Sequence, residues 1–282
     1  MIFECHGHII LDGLSYSGSV SRHEAAVDEA FVRKNLKINA DHGVVFYRDG
    51  GDKHGVSEYA RKIAIEYGID YRSPIYIIHK KGYYGNLFGR SYDDLFEYRQ
   101  LVDLAKQLGA DFIKLTASGM LDFSGDGSVI GQPLSSEILR EIIGIAHGEG
   151  FAVMVHVNGT DNIKRTAEAG ADSLEHGFFM DDDALSIISQ TGAVWVPTIA
   201  TVGNQIGKGI YDDELLTKIF DNHKAALKSA AAIGVPIACG SDAGASCVSQ
   251  GLGAHNELAI LESLGINPTR GNKIIEEIFR RR

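Results

Sequence analysis

Cysteine, proline, positive charge and long apolar runs are all scarce in this chain. Cys5, Cys239 and Cys247 are odd in number and form no Cys-x-x-Cys pair. That argues against a disulfide framework and fits a reducing, cytoplasmic compartment. Five prolines are spread over 282 residues, and no Pro- or Ser-rich linker, low-complexity tract or internal repeat divides them, so residues 1–282 read as a single domain. Lys and Arg number 27 against 37 Asp and Glu, a formal net charge of −10. Nucleic acid and anionic membranes want basic patches, so neither is the expected partner. No apolar run approaches a membrane span, and no basic segment leads into an apolar one as in a signal peptide. What remains is an ordinary globular composition, 44% hydrophobic and 23% charged, with a small molecule as expected partner and a homo-oligomer left open.

Short apolar runs alternate with longer amphipathic ones, the pattern of βα repeats around a parallel sheet. Strands are expected at about 2–8, 43–48, 75–79, 111–115, 151–156, 172–176, 193–197 and 235–240. Helices are expected at about 23–39, 56–66, 92–108, 135–147, 160–169, 181–190, 214–232 and 255–264, with Ser135-Ser136 as an N-cap region. Eight of each in alternation suit a (β/α)8 TIM barrel. An open doubly wound sheet would want a phosphate-binding glycine turn after strand one, and Gly7-His8-Ile9 is not one. The closing run Arg280-Arg281-Arg282 reads as a solvated helix end.

A parallel barrel builds its active site at the C-terminal ends of its strands. There the chain carries His6 and His8 on strand one and Lys114 on strand four. His156 and His176 end strands five and six, and Asp242 follows strand eight. Each has a mundane explanation: His156 as a satisfied core histidine, Asp242 as a helix cap. Six such residues at one edge point jointly to a metal site.

The pattern resembles the amidohydrolase superfamily of metal-dependent hydrolases, its imidazolonepropionase-like and prolidase-like branch. The motifs that carry the resemblance are Cys5-His6-Gly7-His8, Gly43-Val-Val-Phe-Tyr-Arg-Asp-Gly50 and Gly109-Ala-Asp-Phe-Ile-Lys-Leu-Thr-Ala-Ser-Gly119. Val155-His156, Ser173-Leu-Glu-His-Gly177 and Gly240-Ser-Asp-Ala-Gly244 complete them. The resemblance implies two divalent ions, most often zinc. His6, His8 and Asp242 would bind one and His156 and His176 the other, with Lys114, N-carboxylated by carbon dioxide, bridging both. It further implies hydrolysis of an amide-type C–N bond by a metal-bridging hydroxide, with Asp242 as general base and acid. His79 falls where the family has a histidine that hydrogen-bonds the substrate carbonyl, His255 is a candidate for the pocket lining, and Tyr83, Tyr84, Phe88 and Phe123 are candidates for an apolar pocket wall.

Two departures from the family accompany the match. The small β-sandwich that usually flanks the barrel is expected to be absent in most or all of its extent. Asn158 in His156-Val-Asn-Gly159 stands where relatives carry a second histidine, which makes it a candidate substrate contact. Besides an amide hydrolase, two readings stay open: a mononuclear deaminase of the same superfamily, which does not account for Lys114, and a catalytically idle metal-binding barrel.

Overall fold

The computed structural model describes residues 1–280, so Arg281 and Arg282 of the terminal arginine run lie outside it. Strands form where β-branched and aromatic residues stand between glycine turns: β1 (Ile2–Gly7), β2 (Val44–Asp49), β3 (Asp70–Arg72), β4 (Ile77–Lys80), β5 (Gly89–Tyr92), β6 (Ile113–Thr116), β7 (Val153–Val157), β8 (Ser173–His176) and β9 (Val194–Val196). The ladders between them are parallel and run β1-β2-β3 in one sheet and β5-β4-β6-β7-β8-β9 in the other. Helices fill the intervals: α1 (Tyr16–Ser21), α2 (Glu29–Asp41), α3 (Val56–Ile63), α4 (Leu95–Gln107), α5 (Ser136–Gly148), α6 (Thr160–Glu168), α7 (Asp182–Thr191), α8 (Ala200–Gly203), α9 (Asp213–Ala232), α10 (Leu252–Ser263) and α11 (Thr269–Ile278). Asp28, Asp94, Ser135 and Asp181 each cap a helix by accepting a backbone N–H three residues on.

The two sheets are one barrel. The segment 235–243 closes it without forming a regular ladder: Trp195 donates to the Pro236 carbonyl at 2.9 Å on one side, and Cys5 donates to the Cys239 carbonyl at 2.8 Å on the other. The third barrel strand also departs from the expected pattern. It breaks at Ser73-Pro74-Ile75, because proline cannot donate to a ladder and Ile75 takes a left-handed φ of 68°. One half, β3, pairs with β2, and the other half, β4, pairs with β6. The β3 half, β5 and α1 were hidden in stretches that read as loops, and α11 follows the last expected helix. No separate β-sandwich is present among the described residues, as expected.

Alternation along the strands sorts the barrel interior into layers. Phe46, Phe112 and Met154 belong to a buried apolar cluster that Ile275 and Phe279, in and just after α11, join. Two residues further along the same strands come Arg48, Lys114 and His156. Apolar plug below and ionisable groups above is the arrangement that aims chemistry at the C-terminal face. A cleft of about 440 Å³ beside Phe3, Glu262 and Asn272 is lined by none of the clustered histidines, nor by Lys114 or Asp242.

Candidate active site

Four imidazoles meet at the strand ends. The ring centroids of His6 and His8 are 5.5 Å apart, those of His6 and His176 4.9 Å, and those of His156 and His176 4.5 Å. Asp242 Oδ1 lies 3.8 Å from His6 Nε2 and 3.6 Å from His8 Nε2. Donor atoms of His6, His8 and Asp242 all fall within 4.8 Å of one another, a spacing a single cation can span. The strand register explains the convergence: Thr116 pairs with His156 and Val157 with His176, so β6, β7 and β8 deliver neighbouring side chains. His176 and Asp242 both take left-handed φ values, 66° and 62°, a conformation that non-glycine residues keep only where the surroundings over-determine it.

Oxygen partners leave one nitrogen on each of three rings free. His6 Nδ1 donates to Glu175 Oε2 at 2.5 Å, and because a carboxylate only accepts, the proton must sit on Nδ1 and leave Nε2 bare. His156 Nε2 donates to the Gly119 carbonyl at 3.1 Å, and His176 Nδ1 lies 2.8 Å from Thr198 Oγ1. His6 Nε2, His8 Nδ1 and the Lys114 amine are buried with no hydrogen-bond partner. Such orphaned donors and acceptors are costly unless something binds them. A divalent cation would satisfy imidazoles held in this way, since outer oxygen partners that set the tautomer are the usual support of histidine ligands.

Burial and crowding tune the charges. Burial, reinforced by the Lys114 charge, holds His8 and His156 down to about 3, and His6 and His176 are also well below the ordinary imidazole range. The rings are therefore neutral and able to ligate at pH 7. Burial lowers Lys114 to about 8 and raises Asp242 to about 7, the latter opposed by Lys114. Beneath them the Arg48 guanidinium, wholly buried, donates to Glu175 Oε1 at 2.9 Å and Oε2 at 3.0 Å, to Ser173 Oγ at 2.8 Å and to the Cys5 carbonyl at 2.6 Å.

The sequence profile of the amidohydrolase family matches residues 29–276. The chain belongs to the amidohydrolase family. An uncharacterised protein of Mycobacterium tuberculosis is 26% identical to this amidohydrolase over 275 residues, 94% of this chain and 68% of its own length. The ochratoxinase of Aspergillus niger is 30% identical over 155 residues, 53% of this chain and 32% of that enzyme. Its crystal structure superposes with a TM-score of 0.75 at 22% identity, covering 98% of this chain and 69% of that one. A Xaa-Pro dipeptidase crystal structure gives 0.72 at 21% identity, covering 98% of this chain and 72% of the other. At such identities the structures speak to the fold alone, a parallel α/β barrel.

Of three other expected site residues, His255 and His79 share no ring contact with the four imidazoles, and Asn158 shares the Gly119 carbonyl with His156. His255 Nε2 donates to the His42 carbonyl at 2.8 Å, and its ring faces His42 instead of the pocket. It lies in the first turn of α10, which begins at Leu252, on the side that meets the end of α2. Asn158 is buried and committed: its amide donates to the Gly119 carbonyl and accepts from the Phe178 N–H. It braces the loops after β6 and β8, and both ends of its side chain are occupied. His79 donates from Nδ1 to the Lys80 carbonyl at 3.0 Å and packs where a Cβ on Gly85 or Gly89 would strike it. It shares none of the ring contacts that join the four histidines.

Of the four expected wall aromatics, Tyr84 packs tilted against His156 at 4.7 Å and Phe88 stacks on His8 at 5.8 Å. Phe123 instead meets Tyr211, in an apolar cluster with Leu121, Phe178 and Ile219. Tyr83 packs on the main hydrophobic core. Arg48, Glu175 and Thr198 were not among the expected site residues. For Glu175 the available signal was a charged residue inside a short buried strand, Ser173-Leu-Glu-His176; for Thr198 it was only a loose match of Pro197-Thr198 to the family's pattern on strand seven.

Proposed function

We propose that this amidohydrolase cleaves amide-type C–N bonds in small molecules (dipeptides, N-acyl amino acids, cyclic amides, ureas or carbamates) with two divalent ions, most simply zinc. The observation that carries the reading is the Lys114 amine, buried without a partner among four neutral imidazoles. His6, His8 and Asp242 would hold one ion. His156 and His176 would hold the other and need an anionic ligand beside them, which carboxylated Lys114 would supply to both ions. Carboxylation requires the neutral amine, and a value of about 8 makes that form accessible near neutral pH. The amine nitrogen adds to the carbon of carbon dioxide, an N–C bond forms, and one proton leaves. A cationic head that would repel metal ions thereby becomes an anionic one with two oxygens.

The ions, once bound, would polarise the carbonyl and acidify a water. The chain supplies the rest. Asp242, beside the His6 and His8 ring nitrogens, is the carboxylate placed to take a proton from the attacking water and return it to the leaving nitrogen. Glu175 keeps His6 in one tautomer and one orientation. Tyr84 and Phe88, packed against His156 and His8, shield the reacting centre from bulk water and offer an apolar surface to the substrate.

A mononuclear reading draws on one observation: His6, His8 and Asp242 form a three-residue ligand cluster without the second histidine pair. It leaves Lys114 without a task. Metal analysis separates the two. About two divalent ions per chain are expected from a binuclear site, and Lys114→Ala is expected to lose at least one of them together with hydrolysis of every amide turned over by the parent protein. One ion per chain with hydrolysis intact in Lys114→Ala would sink the binuclear reading.

A further inference from the structure

One buried carboxylate has no part in the chemistry just described. Glu257, on α10, is fully buried and makes no contact with the four imidazoles. Its Oε1 accepts the Ile199 N–H at 3.2 Å and its Oε2 the Ala200 N–H at 2.8 Å. Those two amides directly follow Thr198. Thr198 is a β-branched residue with a φ of 46°, in a region such side chains rarely enter. A backbone of that kind survives only when its surroundings hold it from several sides. Here the Thr198 carbonyl receives the Thr201 N–H at 3.0 Å and its hydroxyl at 2.7 Å. The preceding Pro197 carbonyl receives His223 Nε2 at 3.2 Å. Glu257 grips the following side.

This conformation aims Thr198 Oγ1 at His176 Nδ1, 2.8 Å away. A carboxylate on two consecutive N–H groups fixes the two peptide planes after Thr198, and so fixes where its Cα–Cβ bond points. Sequence distance is no obstacle, because α10 packs beside α8 and the carboxylate reaches the turn from outside the barrel. We propose that Glu257 is a positioning residue for His176: by holding the Thr198 turn in its left-handed form it keeps Thr198 Oγ1 on Nδ1 and leaves Nε2 free to ligate. The inference rests on the reading of His176 as a metal ligand.

The test measures zinc binding to metal-free protein by calorimetric titration with chelator competition, with circular dichroism to establish that each variant is folded. Thr198→Val is expected to weaken the second zinc about tenfold or more, the usual effect of removing an outer partner of a histidine ligand. Thr198→Ser keeps the hydroxyl and is expected to stay near the parent. Glu257→Ala is expected to match Thr198→Val to within about threefold, and the double variant to be no weaker than either single one, because both act through one hydrogen bond. Glu257→Gln, which still accepts one N–H, is expected to recover most of the affinity. If Glu257→Ala does not fold, Glu257→Asp, shorter by one methylene, is expected to show the same loss. Parent-like zinc affinity in folded Glu257→Ala or Glu257→Asp, alongside weakened His176→Ala, overturns the proposal alone, as do additive losses in the double variant. Parent-like affinity in His176→Ala overturns the ligand reading and this proposal together.

Discussion

Gly50 offers the sharpest perturbation of the site, because replacing it removes no proposed ligand. It follows β2, and a Cβ built on it would lie 2.1 Å from His8 Cε1, 2.6 Å from Nε2 and 2.7 Å from Nδ1. Ordinary contacts begin near 3.4 Å, so alanine requires the imidazole and the Gly50 backbone to part by more than an ångström. Gly50 is not among the glycines with positive φ, so the backbone itself accepts a side chain and the effect is steric. The ring has little room: Phe88 stacks on it, and the His8 N–H is tied to the Ala243 carbonyl at 2.8 Å. A functional constellation tolerates displacements of about 0.5 Å, and an error of about 1 Å costs on the order of a hundredfold in rate. Gly50→Ala is therefore expected to lose the ion proposed for His6, His8 and Asp242 and at least about a hundredfold in kcat/KM on any amide the parent hydrolyses. Overpacking is expected to lower folding stability by only about 1–3 kcal/mol. Elemental analysis of the metal, steady-state kinetics and a urea melt check the three parts. Gly144→Ala in α5, where nothing lies within 4 Å of the new Cβ, serves as control and is expected to gain about 0.5–1 kcal/mol with metal content unchanged. Full metal content and parent-like rates in Gly50→Ala would refute the reasoning.

Two further outcomes follow from buried groups that are not themselves proposed ligands. Arg48→Met leaves Glu175 buried without its guanidinium, and breaking one side of a buried pair removes about 3–5 kcal/mol; a loss below about 1 kcal/mol in urea denaturation would contradict the account of that network. His223 lies between Phe178 and Trp195, and burial holds it down to about 3. As pH falls, the unfolded chain takes this proton first, near the ordinary imidazole value of about 6.5. The contribution is thus present in full above about 6.5 and is lost as pH falls towards 3, at about 1.4 kcal/mol per pH unit. His223→Phe is expected to flatten the acid limb of stability by that slope between pH 6.5 and 4.5, measured by urea melts at several pH values. Parallel curves for parent and variant would show that His223 is not the group responsible.

The chain's own order of residues determined a good deal. The βα alternation was legible because parallel strands buried on both faces read as short apolar runs, and helices show their own period. The histidines, Lys114 and Asp242 were legible because strand ends can be counted along a chain and a barrel gathers them at one face. Tertiary structure alone decided which nitrogen of each ring is free. That depends on Glu175 reaching His6 from 169 residues away, on Gly119 meeting His156, and on Thr198 turning into a left-handed φ beneath Glu257. It also decided that the third strand breaks at Pro74, that the segment 235–243 closes the barrel through a few hydrogen bonds, and that His255 faces His42. The physical reason is common to all of them. Residue type and spacing specify what a side chain is able to do, whereas its partner and its free atom are set by packing between elements that only the closed barrel brings together.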